Sequence, residues 1–237
     1  MICDTTGYDA DLSPAVTAPM IKPLAVVFDN DGLLLDTEPC WTVAEESLFR
    51  ANGRLFDLEA KRALVGTSPK TSAPILERLL GRPGAGQQLG DRLYALALSE
   101  IGNGATPRPG AIELVAALRT AGVPLAVASN SPRSHLLAGL RRTGLADEFD
   151  VVLGVDDVEN PKPAPDLYLQ ACLGLEVDPA DAIALEDSLP GVGAAKAAGL
   201  RVIGIPSIAG VVLDGHADLV AASLADPAVH RALGLDA

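Results

Sequence analysis

The chain has few aromatic residues. Phe, Trp and Tyr together make up 3% of 237 residues, although hydrophobic residues of all kinds reach 49%. Such a composition argues against an aromatic-rich β-sandwich and for an interior of Ala, Leu and Val carried on helices and strands. Positive charge is also scarce, with 18 Lys and Arg against 31 Asp and Glu and a formal net charge of −13. Basic runs do not exceed a pair such as Arg141-Arg142, so neither nucleic acid nor an anionic membrane surface is an expected partner. An anionic substrate would need local help from a metal ion or a placed lysine. Three cysteines, Cys3, Cys40 and Cys172, form no CxxC pair. This count suits neither a disulfide framework nor a zinc site and fits a reducing cytoplasm. No stretch approaches the roughly 20 apolar residues of a membrane-spanning helix, and Met1 to Pro23 lacks the basic start and apolar run of a signal peptide.

Short apolar runs provide the organisation. Leu24 to Phe28 is continuous and apolar, as in a strand buried on both faces. Similar runs occur at Pro124 to Ala128, Asp150 to Leu153, Asp181 to Leu185 and Arg201 to Ile205, with a weaker one at Ala217 to Val220. Helical patterns separate them, at Ala111 to Ala121, Pro132 to Thr143, Pro165 to Leu173 and Gly191 to Ala198. This alternation predicts an α/β fold, a parallel sheet between layers of helices. The interval between the first two strands differs. It carries no strand pattern, places Thr37 and Pro39 at a helix start, and repeats apolar residues at helical spacing. The predicted organisation is therefore a tail at 1–22, a core from 23–37 and 108–237, and a helical cap inserted at 38–107, with Gly102 to Gly110 as the return linker.

Ligands of open α/β sheets bind beyond the carboxyl ends of the strands, which directs attention to the residues just after each run. After the first comes Asp29-Asn30-Asp31-Gly32: two carboxylates on one side of an extended stretch, with a glycine that permits a sharp turn. Close carboxylates repel unless their roles diverge or a divalent cation binds between them. After the second comes Ser129-Asn130-Ser131 before a helix start, where hydroxyl, amide and free N–H groups suit a phosphate oxygen. After the third, Lys162 stands between Pro161 and Pro163, which stiffen the backbone of an otherwise mobile cation. After the fourth comes Glu186-Asp187-Ser188, hard oxygen donors of the kind Mg²⁺ prefers. Each group alone could be a turn or a helix cap. Their shared placement at strand ends makes them one site.

With these motifs the chain resembles the haloacid dehalogenase superfamily, in its branch of helical-cap sugar-phosphate phosphatases and β-phosphoglucomutase-like enzymes. The segment from Phe28 to Pro39, then Ser129, Lys162 and Glu186-Asp187-Ser188, match the family's four motifs in order. The resemblance implies that Asp29 is the nucleophile, that Asp31 is the acid and base, and that Ser129, Asn130 and Lys162 bind the phosphoryl group. Mg²⁺ would be held by Asp29, the backbone carbonyl of Asp31, and Asp187, with Glu186 close by. The implied reaction is hydrolysis of a small phosphomonoester, a sugar or polyol phosphate, through an aspartyl-phosphate.

A phosphomutase is the alternative. The mutase cap, however, has a histidine where Trp41 stands, and a Gly-x-Ser-Arg segment where this chain reads Gly66-Thr67-Ser68-Pro69. A receiver-type signalling module shares the residue types but has no inserted cap. Phosphonate-cleaving relatives use a cap lysine, and no motif singles out Lys61 or Lys70. Arg50, Arg54, Lys70, Arg78 and Arg82 are the cap cations that could meet a substrate. A monomer is expected.

Overall fold

The computed structural model describes residues 23–65, 67, 69–207 and 211–235; the expected tail at 1–22 lies outside them. Strand β1 (Ala25–Phe28) is followed by β2 (Leu35–Asp36) and four helices, α1 (Glu38–Ala51), α2 (Leu58–Leu64), α3 (Pro69–Leu80) and α4 (Gly86–Gly104). The chain returns through β3 (Thr106–Pro107) to α5 (Ala111–Thr120), β4 (Leu125–Ala128), α6 (Arg133–Thr143), β5 (Val151–Leu153) and α7 (Asp166–Gly174). It ends with β6 (Ala182–Glu186), α8 (Leu189–Ala198), β7 (Arg201–Gly204), β8 (Leu219–Val220) and α9 (Pro227–Ala232).

Six strands form one parallel sheet in the order β5-β4-β1-β6-β7-β8. β1 lies inside it, hydrogen-bonded to β4 and β6, and its four apolar residues are all fully buried. Their alternation divides the core. Val26 and Phe28 pack with Leu114, Leu118, Leu136 and Leu140 on one face, while Ala25 and Val27 pack with Leu167, Ala171 and Ala195 on the other. Both faces are thus covered by helices, as a continuous apolar strand requires.

The four helices after β2 have an apolar cluster of their own. α4 contributes Leu89, Leu93, Ala97 and Ile101, a buried stripe at a spacing of four residues, against Ala44 and Leu48 of α1. The linker expected at Gly102 to Gly110 is helical as far as Gly104. Gly104 lies close to α1, where a Cβ would stand 3.4 Å from Cys40 Sγ. β2 and β3 pair antiparallel, Leu35 with Pro107 and Asp36 with Thr106, and join the insert to the sheet. Two-residue strands are too short for an alternation to be read, which is why no strand pattern marks them.

Candidate active site

Every expected site residue lies at the carboxyl end of the sheet. All but Glu186 line a cavity of about 660 Å³ that the sheet and the insert share, a size suited to a small metabolite. Asp29 continues β1, its N–H bonded to Leu185 O. The chain then turns tightly: Leu34 and Leu35 N–H groups both bond Asn30 O, and Gly32 N–H bonds Leu35 O at 2.8 Å. Gly32 has φ 87°, and a Cβ there would collide with Asp187 Oδ2. It is required both by backbone conformation and by contact. The turn presents Asp29 and Asp31 to the same cavity.

Two hydroxyls hold Asp31. Thr37 Oγ1 donates to its Oδ1 at 2.6 Å, and Ser129 Oγ donates to its Oδ2 at 3.0 Å. Thr37 is the residue before α1, as expected, but its side chain makes no cap bond to that helix; the hydroxyl goes to Asp31 instead. Asn130 bonds the Lys162 loop at both ends of its amide: Nδ2 donates to Lys162 O at 3.0 Å and Oδ1 accepts from Lys162 N–H at 2.9 Å. The side chain expected to reach a phosphate oxygen is thus committed to seating Lys162.

Lys162 is buried, its Nζ 2.6 Å from both Asp29 Oδ1 and Glu186 Oε1, and 5.0 Å from the centre of the Tyr168 ring. Glu186 has no exposed surface, and both of its oxygens are engaged. Oε1 accepts from Lys162 and from Tyr168 OH at 2.7 Å; Oε2 accepts from Ser188 Oγ at 3.1 Å and from the N–H groups of Asp187 and Ser188. Asp187 accepts a hydrogen bond from Ser207, in the loop after β7. Tyr168 and Ser207 had no signal in the motifs. Ser207 could have been found by extending the strand-end rule to β7; Tyr168, on α7, reads as an ordinary core residue.

Electrostatics follow from this packing. Burial raises the Asp29 carboxyl well above the usual range; Lys162 opposes the rise, and Glu186, Asp187 and Asp31 add to it. Burial and then Glu186 push Asp187 up to about 7, against its Ser207 hydrogen bond. Burial also works against the Lys162 charge, but Asp29 and Glu186 outweigh it and hold the ammonium well above the ordinary lysine range. Asp29, Glu186 and Asp187 each offer an oxygen within 4.8 Å of the others. With Asp31 these make four carboxylates around the one ammonium of Lys162, a clear excess of negative charge. A divalent ion with a preference for oxygen donors would offset part of that excess.

On the insert side, Trp41 both packs and lines the cavity. Its ring is stacked on His135 at 5.8 Å and edge-on to Tyr94 at 5.2 Å. Arg50, Arg54, Lys70, Arg78 and Arg82 are exposed and do not border the cavity. The insert cation that does is Lys61, bonded to Glu45 at 2.8 Å and in contact with Glu38. Two residues of the segment aligned with the mutase cap motif, Gly66 and Ser68, lie outside the described residues.

The family model "haloacid dehalogenase-like hydrolase" matches residues 23–199. The chain belongs to the haloacid dehalogenase-like hydrolases. It is 34% identical over 184 residues to the bifunctional riboflavin kinase/FMN phosphatase of Arabidopsis thaliana; that match covers 77% of this chain and 48%, about half, of the relative. It is 34% identical over 188 residues to hexitol phosphatase B of Escherichia coli K12, covering 78% of this chain and 84% of the relative. Among solved structures, a point mutant of CbbY from Rhodobacter sphaeroides, in complex with xylulose-(1,5)bisphosphate, superposes with a TM-score of 0.77 at 31% identity, over 86% of this chain and 96% of that one. Family and relatives make this chain an enzyme, a phosphatase of the haloacid dehalogenase type. Among the described residues no helix is long and apolar enough to cross a membrane.

Proposed function

We propose that this enzyme hydrolyses a small phosphomonoester, a sugar or polyol phosphate, through a phosphorylated Asp29. The observation that carries the reading is the pair Asp29 and Asp31, presented to one cavity beside Lys162 and the acidic cluster. A carboxylate oxygen of Asp29 forms a bond to phosphorus as the bond to the leaving oxygen breaks. Asp31 gives that oxygen its proton, and then takes a proton from the water that attacks phosphorus and restores Asp29. Ser129 and Lys162 hold phosphoryl oxygens, and Glu186 positions Lys162. Mg²⁺ would be held by Asp29, Asp187 and the carbonyl of Asp31, and when bound it neutralises charge on the phosphoryl oxygens. The insert at 38–107 acts as a cap, supplying the wall that meets the leaving group and keeping bulk water from Asp29. Hexitol phosphatase B, named for its substrate class, and CbbY, solved with a sugar bisphosphate bound, support a phosphorylated polyol or sugar as substrate.

The test is Mg²⁺-dependent phosphate release from a panel of sugar, polyol, nucleotide and carboxylate phosphomonoesters, with Asp29→Asn as blank. The expected result is release from a few sugar or polyol esters, lost in the variant and with EDTA. Phosphate release that survives in Asp29→Asn would falsify the covalent route.

A further inference from the structure

The part of the cavity wall formed by α1 and α2 carries a second arrangement of charges. Lys61, on α2, bonds Glu45 Oε2 at 2.8 Å and touches Glu38 Oε1, both on α1. Glu45 is 3% exposed, and all three residues border the cavity. The ammonium is thus shared between two carboxylates before any ligand arrives. Away from Asp29, Asp31, Asp187 and Lys162, the described charged residues on this cavity are Asp36, Glu38 and Glu45 against Lys61 and Arg108. Arg108 enters from the joint, where its N–H bonds Leu34 O, rather than from the insert. Acidic side chains outnumber cations in this group by three to two, and its insert cation is already paired.

An anion placed there would meet Glu38 and an ammonium already shared with Glu45, in a partly desolvated pocket where like charges cost more than in water. A neutral hydroxyl is suited to the same groups, since it accepts from an ammonium and donates to a carboxylate. The rings of Trp41 and Tyr94 on the same wall offer apolar surface to the carbon skeleton of such a ligand. We infer that Glu38, Glu45 and Lys61 form a hydroxyl-reading subsite that selects phosphomonoesters with an uncharged polyol leaving group and rejects bisphosphates. The inference rests on the phosphatase reading and deepens it. It sets this chain apart from CbbY, whose complex holds a bisphosphate. It also opposes the mutase alternative, because among the described residues the insert cation on this cavity, Lys61, is already paired.

The experiment compares kcat/KM for a hexitol monophosphate and a hexose bisphosphate in the Mg²⁺-loaded full chain, in wild type, Glu38→Gln and Glu45→Gln. Wild type is expected to favour the monophosphate by at least about tenfold, and each variant to narrow that ratio by roughly tenfold, mainly through KM. A wild type that prefers the bisphosphate, or a ratio unmoved in Glu38→Gln, overturns the inference. Should buried Glu45→Gln fail to fold, as judged by circular dichroism, the more exposed Glu38 decides the matter. Release from p-nitrophenyl phosphate with an unmoved ratio removes this inference alone; no release from p-nitrophenyl phosphate or either ester removes the phosphatase reading with it.

Discussion

Asp29 and Asp31 are two residues apart yet differently held, which suits the separate tasks proposed for them. Asp29 is buried, with its Oδ1 held by the Lys162 ammonium, and it borders the cavity. Asp31 accepts from the hydroxyls of Thr37 and Ser129 rather than from a fixed cation. Asp31→Asn is expected to lower kcat by about 10²–10⁴-fold with an unchanged circular dichroism spectrum. Ser207 touches Asp187 without being placed among the ligands. Ser207→Ala should weaken Mg²⁺ binding by roughly 10–100-fold, read by calorimetric titration, with Ser207→Thr restoring most of it. Asp187, pushed up to about 7, must lose its proton to accept a cation. Mg²⁺ affinity should therefore rise as pH increases toward 7 and level off above it. At this scale the strand-end rule named Asp29, Asp31, Ser129, Asn130, Lys162, Glu186 and Asp187. It could not name Tyr168 or Lys61, which reach the site from helices and depend on which helix face turns inward.

Helix α8 starts beside the site, and its first turn is shaped by it. Ser188 caps the helix, its Oγ accepting from Gly191 N–H. A Cβ on Gly191 would overlap the Glu186 carboxylate. In an ordinary exposed helix, Gly→Ala is stabilising by roughly 0.5–1 kcal/mol. Here Glu186 is pinned by Lys162 and Tyr168 and cannot move aside, so the sign reverses. Gly191→Ala should cost about 1–3 kcal/mol of stability and lower kcat by displacing Lys162, measured by urea unfolding and steady-state kinetics. Helix α1 is also shaped by the site at its start, where Thr37 serves Asp31 rather than its own helix. The sheet strands and α5 to α8 were legible to within a few residues because continuous apolar runs and helical spacing are local signals, whereas α9 was not predicted. The β2–β3 joint was not, since each of its strands is two residues long and its existence depends on where the insert returns.

Across the whole molecule carboxylates outnumber cations, giving a net charge of −13, and some of those carboxylates are buried at a cost. Burial pushes Glu45 from 4.5 to about 7 despite Lys61, and Asp187 to about 7. In the unfolded chain both would titrate near their ordinary values. Between roughly pH 4.5 and 7 the folded state therefore holds more protons, and stability falls as pH rises through that window. A loss of about 1 kcal/mol lowers Tm by roughly 2–4 °C in a chain of this size. The metal-free protein should thus melt at least that much lower at pH 8 than at pH 5.5, and Mg²⁺ should recover part of the difference at pH 8. A flat Tm across this range in scanning calorimetry would contradict the buried charge assigned to these residues. The sequence by itself determined the parallel sheet, the helices that alternate with it and the placement of chemistry-bearing residues after its strands, because hydrophobic period and strand-end placement are written in neighbouring positions. Only the tertiary structure decided that Glu186 faces inward to Lys162, that Asn130 clamps a loop, and that Lys61 lies between two glutamates. Those partners are separated by 16 to 32 positions in the chain, and only tertiary packing sets their distances.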